Sequence, residues 1–186
     1  MVTLAIAKVL RVTDQTEVLL IGGRSGVGKS TVGYEIHAQL SATGVQHFLI
    51  EGDNLDMAYP PPWEHSLAEK NLTAVWANYH ALGYRRMIYT NTASVLKKVI
   101  TDLTAAIGDD PHVTAVLLRC SDTTAHHRLS QREIGTALDQ HVERSALMAR
   151  TLDERAPRWA HRVQTDDRTV ADIAAEIIGL AGWVAE

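Results

Sequence analysis

Eight consecutive residues, Gly23-Arg24-Ser25-Gly26-Val27-Gly28-Lys29-Ser30, fit the pattern G-x-x-x-x-G-K-[ST] at every fixed position. The apolar run Val18-Leu19-Leu20-Ile21 precedes them, and Thr31-Val32-Gly33-Tyr34-Glu35-Ile36 continues as a helix. Strand, glycine-rich loop and helix in that order make a phosphate-binding loop. Glycines let backbone N–H groups close around phosphate oxygens, at a helix N-terminus whose dipole favours negative charge. Lys29 is expected to reach the β- and γ-phosphates of a nucleotide. The Ser30 hydroxyl is expected to hold Mg²⁺, a hard cation that takes oxygen ligands. Gly23, Arg24, Ser25, Gly26, Val27, Gly28, Lys29, Ser30 and Thr31 are the candidate nucleotide-binding residues.

A second chemical feature follows the next apolar run, where His47-Phe48-Leu49-Ile50 ends in Glu51-Gly52-Asp53-Asn54. A carboxylate there sits across the crevice from the phosphate loop. Asp53 suits either of two roles: general base toward an acceptor hydroxyl, or outer ligand orienting water on Mg²⁺. Its plain structural role would be to cap a turn, since Gly-Asp-Asn is good turn chemistry. Glu51, two residues earlier, points to the same side if the strand persists and would help on the metal.

These residues need a scaffold, and the rest of the chain supplies one. Apolar, β-rich runs recur at Val18 to Ile21, His47 to Ile50, Met87 to Tyr89, Val113 to Leu118 and Arg162-Val163, separated by helical patterns. The order βαβαβαβαβα predicts a parallel sheet with helices on both faces. Ligands in such sheets sit beyond the carboxyl ends of the strands, which directs attention to Arg24–Ser30, Glu51–Asp56, Thr90–Ser94, Cys120–Thr124 and Gln164–Thr169. Asp122 reads as a helix N-cap with Thr123 and Thr124 in the first turn.

With 186 residues the chain suits one α/β domain. A net charge of -4 argues against a nucleic-acid or anionic-membrane binder. One cysteine, Cys120, excludes an internal disulfide and suits a reducing cytoplasm. The apolar segment Val2–Arg11 is broken by Lys8 and Arg11, so it reads as an extra strand or helix and neither as a signal peptide nor as a spanning helix. Nine histidines lack the H-E-x-x-H or Cys/His spacing of a zinc site.

Neither the D-x-x-G and N-K-x-D pair of switch GTPases nor the L-S-G-G-Q signature of transporter ATPases occurs. The phosphate loop, followed by a strand ending in acid-Gly-Asp-Asn, resembles the small P-loop kinases. The resemblance is to adenylyl-sulfate kinase especially, and more loosely to gluconate kinase and chloramphenicol phosphotransferase. The segment Arg128-Leu129-Ser130-Gln131-Arg132-Glu133-Ile134-Gly135 is similar to the arginine-bearing lid of these kinases. Val163 to Thr169, leading into Val170–Leu180, looks like their adenine-side loop and last helix. The resemblance implies an α/β P-loop NTPase three-layer sandwich, with a five-stranded parallel sheet in the order 2-3-1-4-5 and a helical lid over about 128–150. It also implies ATP and Mg²⁺ as cofactors. Arg128 and Arg132, four apart, share a helix face and would close over a triphosphate. The structural alternative is an exposed face paired with Glu133 and Asp139. Arg144, Arg150 and Arg155 follow at helical spacing as further lid candidates.

The acceptor side, residues 54–84, carries no arginine and one lysine, Lys70. Adenylyl-sulfate kinases look to have arginines where this chain has Leu55, Lys70 and Asn71. An acceptor phosphate or sulfate is usually gripped by arginine forks, so the segment predicts a neutral or weakly charged hydroxyl compound: a nucleoside, a sugar derivative or an antibiotic. Leu72, Val75, Trp76, Tyr79 and Leu82 recur at helical spacing and face a core. Tyr59 and Trp63 flank Pro60-Pro61-Pro62 in a loop, and with Asp53 and Asn91 are the candidate acceptor contacts. Strand three ends in Thr90-Asn91-Thr92, where many P-loop ATPases place a Walker-B aspartate. Either Asp53 and Glu51 organise the metal, or nucleotide is bound without efficient turnover.

The sequence thus predicts a cytoplasmic kinase domain over 1–186, monomer or homodimer, moving the ATP γ-phosphoryl group to a small-molecule hydroxyl. Lys29, Asp53, Arg128 and Arg132 are its catalytic residues and Ser30 and Asp53 its metal contacts. Two alternatives stand: an ATP-binding switch module, and a nucleoside monophosphate or adenylyl-sulfate kinase in which Arg24 helps grip the anion.

Overall fold

The computed structural model describes residues 15–131 and 134–184, with Trp63, Thr136 and Ala137 described by their backbone. The segment Val2–Arg11 and Arg132 lie outside the described residues. Five strands, β1 (Glu17–Gly22), β2 (Phe48–Glu51), β3 (Arg86–Thr90), β4 (His112–Arg119) and β5 (His161–Gln164), all pair in parallel in the order β2-β3-β1-β4-β5. Among the described residues six α-helices lie between and after them: α1 (Lys29–Ala42), α2 (Leu67–Ala81), α3 (Lys97–Ile107), α4 (Asp122–Ser130), α5 (Thr136–Arg155) and α6 (Val170–Ala181). The order, the parallel pairing and the three layers are those the sequence predicts.

Side-chain alternation along the strands builds two cores. Val18 and Leu20 of β1 face one way, with Phe48, Ile50, Met87 and Tyr89, against Leu72 and Trp76 of α2, Ile100 and Leu103 of α3 and Leu152 of α5. Leu19 and Ile21 face the other way, with Ile88 and Val116, against Val32 and Ile36 of α1 and Ile173 and Ile177 of α6. A parallel sheet covered on both faces explains why these strands read as continuous apolar runs. Each fully buried leucine or isoleucine stabilises the fold by about 1.5–3 kcal/mol.

Trp76 is buried and Tyr79 stacks on Phe48 with ring centroids 4.0 Å apart, so both are core residues as their spacing predicts. Leu82 departs from the pattern and is 73% exposed, because α2 ends at Ala81 and the chain turns away through Leu82 and Gly83 before the periodicity reaches it. The cap of α4 also moves by one residue. Ser121, not Asp122, is the N-cap, with extended backbone and an Oγ that accepts from the Thr124 N–H at 3.1 Å. Asp122 sits in the first turn, where its carboxylate is drawn to a cation beyond the helix.

Candidate active site at the carboxyl ends of the strands

The loop after β1 turns into α1 through Gly28, whose φ of 104° is available to glycine and strained for any other residue. That turn leaves the first N–H groups of α1 facing open space, with Lys29 as the first helical residue. The loop leans on its neighbours: the Gly23 N–H donates to the Thr92 carbonyl at 3.2 Å, and Lys29 Nζ donates to the Arg24 carbonyl at 3.3 Å. Lys29, Ser30, Thr31 and Asp53 line one cavity of about 180 Å³, together with Thr92, Leu129 and His141. Sequence reasoning passed over His141, because the arginine spacing of the lid drew attention and a histidine on α5 carries no motif.

Ser30 Oγ donates to Glu51 Oε2 at 3.0 Å. The other oxygen, Oε1, is buried and has no hydrogen-bond partner among the described residues, and neither has the Thr90 hydroxyl on its partner in the sheet register. A buried carboxylate oxygen without a partner is costly and calls for a cation or water. Hydroxyl, carboxylate and neighbouring hydroxyl form a hard oxygen set that fits hydrated Mg²⁺. Asp53 has a hydrogen-bond partner of its own. Its Oδ1 accepts from Asn91 Nδ2 at 2.6 Å, and the Asn91 amide is held in turn because its Oδ1 accepts from the Ala93 N–H at 2.9 Å. Asn91 therefore orients Asp53, which lines the same cavity as Ser30.

Arg128 reaches the loop from α4. Its Nη1 donates to the Val27 carbonyl at 2.8 Å and to Thr165 Oγ1 at 3.3 Å. A second cavity of about 230 Å³ opens there, lined by Gly28, Thr31, Arg128, Thr165, Arg168 and Val170 among others. Its other walls come from α4 and the β5–α6 turn, and Asp53 does not line it. Asp166 holds that turn to α4: its carboxylate accepts from the Ser121 N–H at 2.9 Å and from the Ser121 and Thr124 hydroxyls. These hydrogen bonds, with that from Thr124 first, hold its pKa below the ordinary value.

The Arg24 side chain is not at either cavity. It is 3% exposed, with Nε donating to Ser145 Oγ at 2.9 Å and Nη1 bonded to the carboxylate of Asp122. Ser145 Oγ donates onward to the Ser25 carbonyl at 2.8 Å, so the back of the loop is fastened to α5. The arginine considered as an anion grip is thus tied to α4 and α5 through Nη1 and Nε, while its buried Nη2 has no partner among the described residues. Tyr59 stands 97% exposed in the loop beyond Asp56 and does not line the cavity of Asp53. Trp63 opens a short 3-10 turn before α2.

A family model of adenylylsulphate kinase matches residues 15–68, the stretch from β1 to the start of α2. No curated protein sequence matches the chain. Among solved structures, the chain is similar to the Mycobacterium tuberculosis APS kinase in complex with AMPPNP and APS (17% identity, 90% of this chain and 98% of that one, TM-score 0.60). It is similar also to the Deinococcus radiodurans tunicamycin resistance protein (15%, 90% and 96%, TM-score 0.64). A gluconokinase from Sinorhizobium meliloti gives 19% identity over 89% of this chain and 91% of that one, with a TM-score of 0.58. The resemblance to small P-loop kinases is borne out, and the chain has their fold.

Proposed function

We propose that this protein transfers the γ-phosphoryl group of ATP to a hydroxyl of a small, neutral or weakly charged molecule. One observation carries the reading: Asp53, oriented by Asn91, lines the same cavity as Lys29 and Ser30 of the phosphate loop. This shared cavity supports Asp53 as the base for the acceptor hydroxyl and Lys29 as the group that neutralises the transferring phosphoryl. The loop N–H groups and Lys29 bind and orient the phosphates, and Arg128 with Thr165 shapes the nucleotide side. Ser30 and Glu51 would hold Mg²⁺, which when bound neutralises charge on the β- and γ-phosphates. Asp53 accepts the proton that the acceptor hydroxyl loses. Positioning and charge neutralisation supply most of the rate, as suits phosphoryl transfer.

A nucleotide switch without efficient turnover has one observation in its favour, Thr90 at the place of the Walker-B acid. Glu51, its partner in register, supplies the missing carboxylate and makes the kinase the better reading. A nucleoside monophosphate or adenylyl-sulfate acceptor is disfavoured because Arg24 is committed to Asp122 and Ser145. The test is ADP release from Mg-ATP across neutral sugars, nucleosides, amino sugars, hydroxylated antibiotics, nucleoside monophosphates and adenylyl-sulfate. Stimulation by non-anionic alcohols is expected. Stimulation by the anionic acceptors alone overturns the acceptor class, and measurable ATP binding with no stimulation by any of them overturns the kinase.

A further inference from the structure

A further cavity, of about 170 Å³, is walled by Arg24 of the phosphate loop, by the carboxyl ends of β4 and β5, and by Ala149, Leu152 and Asp153 of α5. It shares no lining residue with the two cavities already described. Arg24 is 3% exposed and permanently charged, so each of its nitrogens calls for an acceptor. Nε has Ser145 and Nη1 has Asp122, but Nη2 is buried with no partner among the described residues. The cavity therefore has a buried cation in its wall with hydrogen-bond donors still unmet.

One water would serve Nη2 but not the space. A water occupies about 30 Å³, whereas an apolar cavity of about 150 Å³ takes a benzene ring. Leu117 and Leu152, both fully buried, and Ala149 give this cavity an apolar part of its own.

The charges around the cavity decide what kind of acceptor fits. Arg24 already has Asp122, and the other arginine of the lining, Arg119, is held by both carboxylate oxygens of Asp153 at 3.0 and 3.1 Å. Asp166 adds a further carboxylate, hydrogen-bonded by Ser121 and Thr124. Burial pushes the pKa of the Cys120 thiol upward, so that wall stays neutral. An incoming anion meets more negative charge than positive. An ammonium meets the guanidinium and leaves Nη2 unmet. A neutral carbonyl oxygen satisfies Nη2 at no such cost. If the carbonyl belongs to a primary amide, its N–H groups find acceptors in Gln164 and Asp166 of the same lining.

We propose that this cavity binds a neutral primary carboxamide carried on a single flat ring, as in nicotinamide. The carbonyl oxygen accepts from Arg24 Nη2, the amide N–H groups turn to Gln164 and Asp166, and the ring packs against Leu117, Leu152 and Ala149.

The test is an NMR titration of nicotinamide and benzamide, with benzoate and benzylamine as the anionic and cationic counterparts. Saturating Mg-ADP is present throughout to occupy the nucleotide cavity. A ligand of about nine non-hydrogen atoms is expected to bind in the millimolar range. The amides should bind about tenfold more tightly than either charged counterpart, since only they meet the free donor without meeting a like charge. Ala149→Phe fills the cavity from α5 and should abolish binding. Gln164→Leu, at an exposed position, should weaken it several-fold, and stays informative if the larger substitution disturbs folding, as read by circular dichroism. Absence of binding by both amides would mean that the cavity holds water only and overturns the inference. Equal binding of benzoate, or amide affinity unchanged in Gln164→Leu, overturns it as well.

Discussion

The nucleotide side and the acceptor side of this molecule are built by different means. On the proposed nucleotide side the groups offered to a ligand are main-chain N–H groups of a loop and the start of a helix, and the side chains of Arg24, Ser145, Arg128 and Asp166 hydrogen-bond within that framework. On the acceptor side, the polar groups are side chains carried on a short 3-10 turn (Gly52–Leu55) and the start of α2. Backbone recognition of phosphate is the same whatever the rest of the substrate, so its pattern is constrained. Side-chain recognition is specific to one acceptor and free to change.

The largest effect should come from Lys29→Ala, which removes the cation at the transferring phosphoryl. Turnover is expected to fall by about a thousandfold, read as ADP release under saturating acceptor. Asp53→Asn tests the other side: turnover should fall by about a hundredfold or more while the Mg-ADP dissociation constant stays as it was. Equal loss of nucleotide binding in that variant would break the division between the two sides. Gly52→Ala places a methyl group against Tyr89 and should destabilise the protein by about 1–3 kcal/mol, measured as a lowered thermal midpoint. An unchanged midpoint would mean that the close approach of turn and ring is not needed.

The smallest expected effect concerns pH. The hydrogen bonds from Thr124 and Ser121 favour the ionised form of Asp166, so its stabilising share is fully present above the ordinary carboxyl pKa. That share is lost as the pH falls through the lowered native value. Asp166→Asn should flatten the acid limb of the thermal midpoint against pH, and an acid limb identical to the parent's would show that Asp166 adds nothing to the hold between α4 and the β5–α6 turn.

The difference between the two sides also explains what could be read in the sequence. The strands were visible because a sheet buried on both faces needs continuous apolar runs, and Val18 to Ile21 and Val113 to Leu118 show them plainly. The phosphate loop was visible because its geometry demands glycines at fixed spacing. The role of Asn91 as orienter of Asp53, and the clasp of Arg24 on Ser145, were not: they join residues far apart in the chain, and no local pattern marks them. Asp122 was taken for a cap and Leu82 for a core residue because helix ends fall within a residue or two of where periodicity suggests.

The clasp at the back of the phosphate loop bears on how this protein can be engineered. A loop defined by glycines, lysine and serine looks like a portable cassette, exchangeable between proteins of the same fold. Here the variable position Arg24 is tied through Ser145 to α5 and through Asp122 to α4, and Ser145 also carries the Ser25 carbonyl. Transplanting the eight residues alone would bury a guanidinium with nothing to meet it, and importing a foreign loop would strand Ser145 and Asp122. The unit of exchange in this chain is loop, helix start and lid helix together.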